Sequence, residues 1–451
     1  MSSSLHRLPQ WASGVLEWGL IGLYGCVLLA CNTDNHSVQA LATGRESIRP
    51  VAVPALPEIQ PTQPPMKPLP PIPQERLDAG YGLGIEVDLD HPPAELVVLP
   101  NREPLGITVT VQRPPAPVEG FTEQRSSIKW NTDAGRIQAA VPLGSSADGQ
   151  AVFHPPQGSH CVTLEVRLEV SLRRIIDDGR EQTAKVVREG MFQVLTPVDA
   201  GAYDTGMIDG FNIGEYLDPF DPQLDDRVRV EAEWPVKYPE RYQVPAYFYK
   251  ASRAINPLRI SPNVRLGLFV VDFPWMSLGE TQYIALDLNL VRKLEDLIAL
   301  MRAEGHQITT FEPIYGFRPP SFNIGKILDE PRTTLKKPFS MHQYGRAIDF
   351  IIDEDGDGRL DDLNGDGVVD VHDAAVIMEY VNRLDRQYRA EGRMEMVGGA
   401  GLYESNDFLE RVQYMGQTPY IHVDTRGFLR DNGDLIRWPT YNGLPPPDDR
   451  E

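Results

Sequence analysis

Three side chains in the C-terminal half could grip one metal ion. His342 and Asp349 stand in Ser340-Met-His342-Gln-Tyr-Gly345-Arg-Ala347-Ile-Asp349, and His422 stands in Tyr420-Ile-His422-Val-Asp424. Zinc accepts imidazole nitrogen and carboxylate oxygen, and a catalytic zinc keeps one coordination position for water. Two histidines and one aspartate meet that requirement with a position to spare. Either histidine taken alone is more often a surface or core residue, so the reading rests on their joint context.

A second cluster of oxygen ligands lies between these motifs, in the stretch 353–373. Counting from Asp362, side-chain oxygens fall at the first, third, fifth, ninth and twelfth loop positions: Asp362, Asn364, Asp366, Asp370 and Asp373. Gly367 takes the sixth position, where an EF-hand loop turns sharply, and the Val368 carbonyl takes the seventh. An aspartate at the twelfth position resembles a dockerin-type calcium loop. Asp353, Asp355, Asp357 and Asp361 begin an overlapping second loop whose twelfth position is Asn364. A plain acidic surface loop is the simpler account, but regular alternation of Asp or Asn with glycine is more specific than that. Calcium is the expected ion, and without it so many neighbouring carboxylates would repel one another. His372 lies within the loop sequence and is assigned to neither metal.

The elements that must position the first cluster follow from alternation. In a strand over Ala347–Phe350, Asp349 points away from Ile348 and Phe350. In a strand over Tyr420–Asp424, His422 and Asp424 share a face while Ile421 and Val423 bury on the other. Upstream, Leu290, Leu294, Leu297, Ile298 and Met301 form the apolar stripe of a helix, with Asp287 and Asn289 as capping groups and Gly305 as its stop. A strand is expected over Gln307–Ile314, then the turn-rich Gly316-Phe-Arg318-Pro-Pro-Ser-Phe-Asn323. A second helix is expected over Ala374–Ala390, with Val376, Ile377, Tyr380, Val381, Leu384 and Tyr388 as its stripe.

At 451 residues the chain is long enough for two or three domains. Its formal charge of −21, without a strong basic run, argues against a nucleic-acid partner. Residues 1–31 read as a targeting segment: Arg7 precedes an apolar run from Trp18 to Ala30, which is shorter than the roughly 20 residues needed to span a bilayer. Leu28-Leu29-Ala30-Cys31 resembles a bacterial lipobox, which would make Cys31 the lipidated N-terminus; an ordinary signal peptide or a single inner-membrane anchor is the alternative. Residues 32–82 form a proline-rich tether. Strand candidates at Glu95–Leu99, Ile107–Gln112, Arg136–Val141 and Val162–Leu172 make 83–197 a small β-sandwich-like domain. Residues 198–240, rich in Gly, Asp and Pro, read as a connector, and 241–451 as the metal-binding domain. The fold class is therefore α+β. Cys161, in an apparent strand, is read as a buried small hydrophobe, and beyond the leader no second cysteine remains for a disulfide.

Taken in order, these motifs resemble the M15/LAS zinc peptidases, which include D-alanyl-D-alanine carboxypeptidases and murein endopeptidases. That family's Ser-x-His-x-x-Gly-x-Ala-x-Asp is matched by Ser340, His342, Gly345, Ala347 and Asp349. The chain is most similar to the DUF882 or YcbK-like branch: Gly398-Gly-Ala-Gly-Leu-Tyr403 resembles its Gly-Gly-x-Gly-x-Tyr, Tyr420–Asp424 its Phe-Val-His-Val-Asp, and Gly316–Asn323 its Gly-Tyr-Arg-Ser-Pro-x-Tyr-Asn. The similarity covers roughly 255–440.

The resemblance implies zinc-dependent hydrolysis of peptide bonds in peptidoglycan stem peptides or cross-links. Arg318 would bind a substrate carboxylate or a developing oxyanion, and Tyr420 would be a transition-state donor or a packed aromatic. Many relatives place Glu or His two or three residues before the last ligand, where this chain has Tyr420 and Pro419. Asp424 is thus either the general base or the group that orients the His422 imidazole, with slight preference for the base. Peptidoglycan is the expected partner, with membrane attachment through the lipid on the periplasmic face of the outer membrane. The other readings are a catalytically inactive cell-wall-binding protein and calcium-dependent assembly with a cell-envelope protein.

Overall fold

The computed structural model describes residues 81–89, 95–115, 120–139, 149–270, 281–329, 338–404 and 418–439. The leader with Cys31 and the tether up to residue 80 lie outside them. The chain mixes strands with a smaller share of helix, an α+β composition.

Eight strands come first: β1 Gly82–Val87, β2 Leu96–Val98, β3 Leu105–Gln112, β4 Thr122–Thr132, β5 Arg136–Ala139, β6 Gly149–His154, β7 Cys161–Ile175 and β8 Glu181–Leu195. They form two sheets, ordered β1-β3-β6-β5 and β2-β8-β7-β4. Strict alternation drives this. Leu105, Ile107, Val109 and Val111 bury from β3, and Val162, Leu164, Val166, Leu168, Val170 and Leu172 bury from β7. Residues of both sheets share two apolar clusters, one around Leu168 and Val170, the other around Phe153 and Leu164. Each such Val or Leu contributes roughly 1.5–3 kcal/mol of burial. The outer face of β7 carries Arg167 and Glu169, which pair with Glu189, Lys129 and Lys185 at the surface.

The stretch read as a connector is built into the fold. It holds β9 Val198–Asp199, β10 Tyr203–Asp204, β11 Met207–Ile208 and β12 Phe211–Asn212, then the helical turns α1 Asp226–Arg229 and α2 Glu233–Lys237. Strand β9 pairs with β13, Tyr247–Ser252, which in turn pairs with β14, Thr281–Ile284. Leu224, Val228 and Ala232 pack with Phe339, Met341, Tyr344 and Phe428. Leu96, Val98 and Leu195 of the β sheets likewise join the main apolar core. Strand pairing and apolar packing cross the boundaries expected at 197 and 240, and the described residues fall in one compact unit. The Gly, Asp and Pro of this stretch make its turns, and its few apolar residues do the packing.

The remaining elements are helix α3 Leu288–Ala303, β15 Glu312–Tyr315, helix α4 Pro320–Asp329, β16 Ala347–Ile351, helix α5 Val371–Ala390, β17 Gly399–Tyr403, β18 Tyr420–Asp424 and β19 Ile436–Pro439. Five of the strands form one sheet ordered β15-β16-β18-β17-β19. One face, with Ile348, Phe350, Ile421 and Val423, joins the stripes of α3 and α5 in the apolar core. Asp287 caps α3 by accepting from the Asn289 N–H. Helix α5 begins three residues before the expected Ala374, because Asp370 and Asp373 form a reciprocal capping box. The strand expected from Gln307 starts only at Glu312, because the N–H and hydroxyl of Thr309 are held by the Glu354 carboxylate instead of by a neighbouring strand.

Behind the sheet lies a fully buried ionic network. Lys293 of α3 donates to Asp385 Oδ1 at 2.6 Å and to the carbonyls of Asp424 at 3.0 Å and Met396 at 3.2 Å. Arg437 donates to the other oxygen of Asp385 at 2.7 Å and to the Gly398 carbonyl at 2.9 Å. Removing one partner of a buried pair costs roughly 3–5 kcal/mol, because the other charge stays buried. Lys293→Met is expected to lower unfolding stability by about that amount in urea titration. A loss well under 1 kcal/mol would show that the network does not tie helix to sheet.

Candidate metal centre

His342 sits in a single turn, Met341–Tyr344, that Gly345 ends with φ of 68°. A Cβ at Gly345 would lie 2.4 Å from the Ala285 carbonyl, so only glycine allows the chain to reverse there. Two residues later β16 begins, and Asp349 is its third residue. Cross-strand register then sets a row across the sheet: Tyr315 beside Asp349, Asp349 beside His422, His422 beside Gly401, and Gly401 beside Trp438. The two ligand-bearing strands are immediate neighbours.

The structure brings all three expected ligands together. His342 Nε2 lies 3.2 Å from Asp349 Oδ1 and 3.1 Å from His422 Nδ1, and His422 Nδ1 lies 2.6 Å from Asp349 Oδ1. All three residues are buried. The outer ring nitrogens define the tautomers. His342 Nδ1 is 2.7 Å from the Gly316 carbonyl, which only accepts, so Nδ1 carries hydrogen and Nε2 turns a lone pair inward. His422 Nε2 is 3.2 Å from Asp424 Oδ2, so the neutral ring with hydrogen on Nε2 also turns its Nδ1 lone pair inward. Two lone pairs and a carboxylate oxygen therefore meet at one point. A tetrahedral zinc with bonds of about 2.0–2.1 Å holds its ligand atoms about 3.3 Å apart. A hydrogen on His422 Nδ1 would face both Asp349 Oδ1 and the His342 Nε2 lone pair, so a metal ion and a shared proton compete for the same point. The donor set and its spacing fit a metal ion.

The electrostatics treat the two rings differently, favouring neutral His342 and charged His422. Burial and the Arg318 charge push His342 down to about 4, keeping it neutral. Burial pushes Asp349 up, but the two imidazoles outweigh this and hold it well below the usual carboxylate range. For His422, burial acts downward and is outweighed by Asp349 and Asp424.

Asp424 is placed differently from a water-facing base. It is 0% exposed and lies across the His422 ring from the ligand atoms. Its oxygens accept from the Gly399 N–H at 2.6 Å, the Arg426 N–H at 3.1 Å and the Arg426 guanidinium. Burial works against its charge, and Arg426 and His422 keep it ionised. These contacts hold Asp424 against His422 and Arg426, the placement an orienting group needs. Alternation correctly put both residues on one face but could not show what occupies the carboxylate.

Arg318 is 7% exposed, stacks 5.1 Å over Tyr315 and donates from Nη2 to Ser340 Oγ at 3.2 Å. Its Nη1 stands 3.9 Å from Asp349 Oδ2, and its Nε has no hydrogen-bond partner among the described residues. Asn323, at the end of the same motif, is fully buried, and neither amide atom has a hydrogen-bond partner among the described residues. Tyr420 stacks on Tyr403 with centroids 4.7 Å apart. Burial first and Asp349 second push the Tyr403 phenol up to about 12 and Tyr420 well above its ordinary value. Tyr403 accepts from Trp438 Nε1 at 2.9 Å. Sequence reading assigned no role to Trp438 or Arg426, since neither sits on a recognisable ligand spacing.

The glycines of 398–401 have a steric reason. A Cβ would meet the Asp424 carbonyl at Gly398, the Arg426 guanidinium at Gly399 and the Trp438 indole at Gly401, all inside 3.0 Å. Their absence lets these groups close on the site.

In the acidic insertion, Asp353, Asp355 and Asp361 bring carboxylate oxygens within 4.8 Å of one another. The loop begun by Asp362 is arranged otherwise: among the described residues its carboxylates form no such group. Asp373 accepts from the N–H groups of Leu363, Asn364 and Asp370, and Asp370 caps α5. The two loops nonetheless repeat one pattern nine residues apart. Asp353 accepts from the N–H groups of Gly356, Asp357 and Gly358, and Asp362 from those of Gly365, Asp366 and Gly367. Val368 is exposed at the loop surface.

Comparison with protein-family models, with curated proteins and with solved structures finds no match for this chain. Gly345→Ala is expected to lower thermal stability by at least about 1–2 kcal/mol, the left-handed backbone penalty, before the clash with Ala285 adds to it. An unchanged melting curve would show that the His342 turn does not need this geometry.

Proposed function

We propose that this chain is a zinc-dependent peptidase that hydrolyses peptide bonds in peptidoglycan stem peptides or cross-links. The observation that carries the metal reading is the convergence of two inward lone pairs and one carboxylate oxygen at a buried point. The substrate class is supported by the resemblance of the ordered motifs 316–323, 340–349, 398–403 and 420–424 to the murein peptidases.

When bound, zinc would supply an activated water and polarise the scissile carbonyl. The chain's own residues do the rest. His342 is fixed by the Gly316 carbonyl and His422 by Asp424, so neither imidazole needs to turn when substrate arrives. Arg318, held between Ser340 and Tyr315, would bind a substrate carboxylate or a developing oxyanion through its guanidinium. Tyr420, kept protonated by burial, offers a phenolic hydrogen bond. An exported, lipid-anchored protein would hold this site beside the cell wall, with the tether giving reach.

Muropeptide mass analysis tests the reading. Zinc-loaded protein is expected to cleave, His422→Ala to lose cleavage, and Asp424→Asn to lose roughly 10–100-fold, the usual cost of disturbing a ligand's partner. Full cleavage by His422→Ala would refute the assigned site. Peptidoglycan binding by zinc-loaded protein without any cleavage would favour the inactive binding protein.

For the insertion we propose structural calcium at 353–373. Calcium is expected to protect this segment from limited proteolysis. Equal digestion patterns with calcium and with chelator would refute it, and a calcium-dependent protein partner would favour the assembly reading.

A further inference from the structure

We propose that Arg426 is a positioning residue for the metal site, held in place by an aromatic cage that Trp234 closes. The inference rests on the metal reading above and extends the site to a segment far upstream of it.

Arg426 follows the last ligand strand and is 7% exposed. Its Nε lies 3.0 Å from each oxygen of Asp424, and its Nη2 donates to Oδ2 as well. Three rings surround the guanidinium: Trp234 with its centroid at 5.0 Å, Trp438 at 5.3 Å and Phe428 at 5.8 Å. Trp234 meets Phe428 edge to face at 5.6 Å, so the cage is itself packed. On another side the missing Cβ of Gly399 leaves room, since that atom would fall 2.8 Å from the guanidinium carbon.

Among the described residues, Asp424 is the side chain to which Arg426 hydrogen-bonds. A guanidinium offers its planar fork to a carboxylate, and aromatic faces favour the cation without competing for its N–H groups. Asp424 is fully buried, so a missing or displaced Arg426 leaves its charge without its main counter-ion. The carboxylate would then turn toward other donors, and His422 would lose the acceptor that aims its Nδ1 inward. The chain of contacts runs from Trp234 through Arg426 and Asp424 to His422. Trp438 closes it from the other side, with its ring centroid 5.1 Å from that of His422. Trp234 belongs to α2, so the metal site depends on residues outside the motifs that announce it.

The test uses the intact chain with Trp234→Leu, Trp234→Phe and Arg426→Lys. Zinc affinity is measured by chelator competition, the visible absorption of the cobalt-substituted protein reports ligand geometry, and melting of the metal-free protein reports folding. Trp234→Leu and Arg426→Lys are expected to weaken zinc binding about 10–100-fold and to alter the cobalt bands, with Trp234→Phe close to wild type. Wild-type affinity and an unchanged cobalt spectrum in Trp234→Leu and Arg426→Lys would overturn the inference, whatever happens to melting. Arg426→Lys that fails to fold leaves Trp234→Leu to decide. A wild-type chain that binds no zinc would overturn the metal reading and this inference with it.

Discussion

Two imidazoles and a carboxylate turn their ligand atoms toward one buried spot, an arrangement that could hold a metal ion. The outer nitrogens of both rings are committed, one to the Gly316 carbonyl and one to Asp424. Burial leaves these groups little contact with bulk water. The rest of the domain can be understood as the means of holding these groups where repulsion would otherwise separate them.

Rigidity comes from the sheet. Asp349 and His422 are cross-strand partners, which fixes their spacing to the ladder geometry. The opposite face of both strands is covered by α3 and α5, so sliding either strand by one residue would exchange ligands for core side chains. The Lys293–Asp385–Arg437 network anchors the backbone of Asp424 and the approach to β17 from that covered side. On the ligand side, Gly399 and Gly401 admit Arg426 and Trp438 at distances that side chains would forbid.

Much of this was legible in the sequence, for a definite reason. Period-two alternation at Ala347–Phe350 and Tyr420–Asp424, and the helical stripe after Asp287, are local signals, and the elements lie where these signals put them. What escaped was non-local. Nothing near Arg426 announces that Trp234 stacks on it, and Lys293 reads as one polar position on an amphipathic helix. The 198–240 stretch looked like a connector because turn-forming residues dominate it, while its packing is carried by scattered residues such as Leu224 and Val228. The role of Asp424 was undecidable from its face alone, since an orienting group and a base would share that face.

The acidic insertion bears on the ligands through its anchors more than through its charges. It leaves β16 two residues after the strand that carries Asp349, and it returns into α5, whose stripe backs the same sheet. Between these ends Leu360 is buried at 1% exposure and its N–H donates to Thr418 Oγ1 at 2.8 Å. Thr418 lies two residues before β18. The Asp361 N–H returns to the Ile352 carbonyl, and Glu354 holds Thr309 ahead of β15. The insertion is thus pinned to the lead-ins of β15 and β18 and to the exit of β16, so it touches both strands that carry ligands. An ion bound by Asp353, Asp355 and Asp361 would stiffen the segment between those pins, so its effect would reach His422 through the entry to β18 without any direct contact between the two sites.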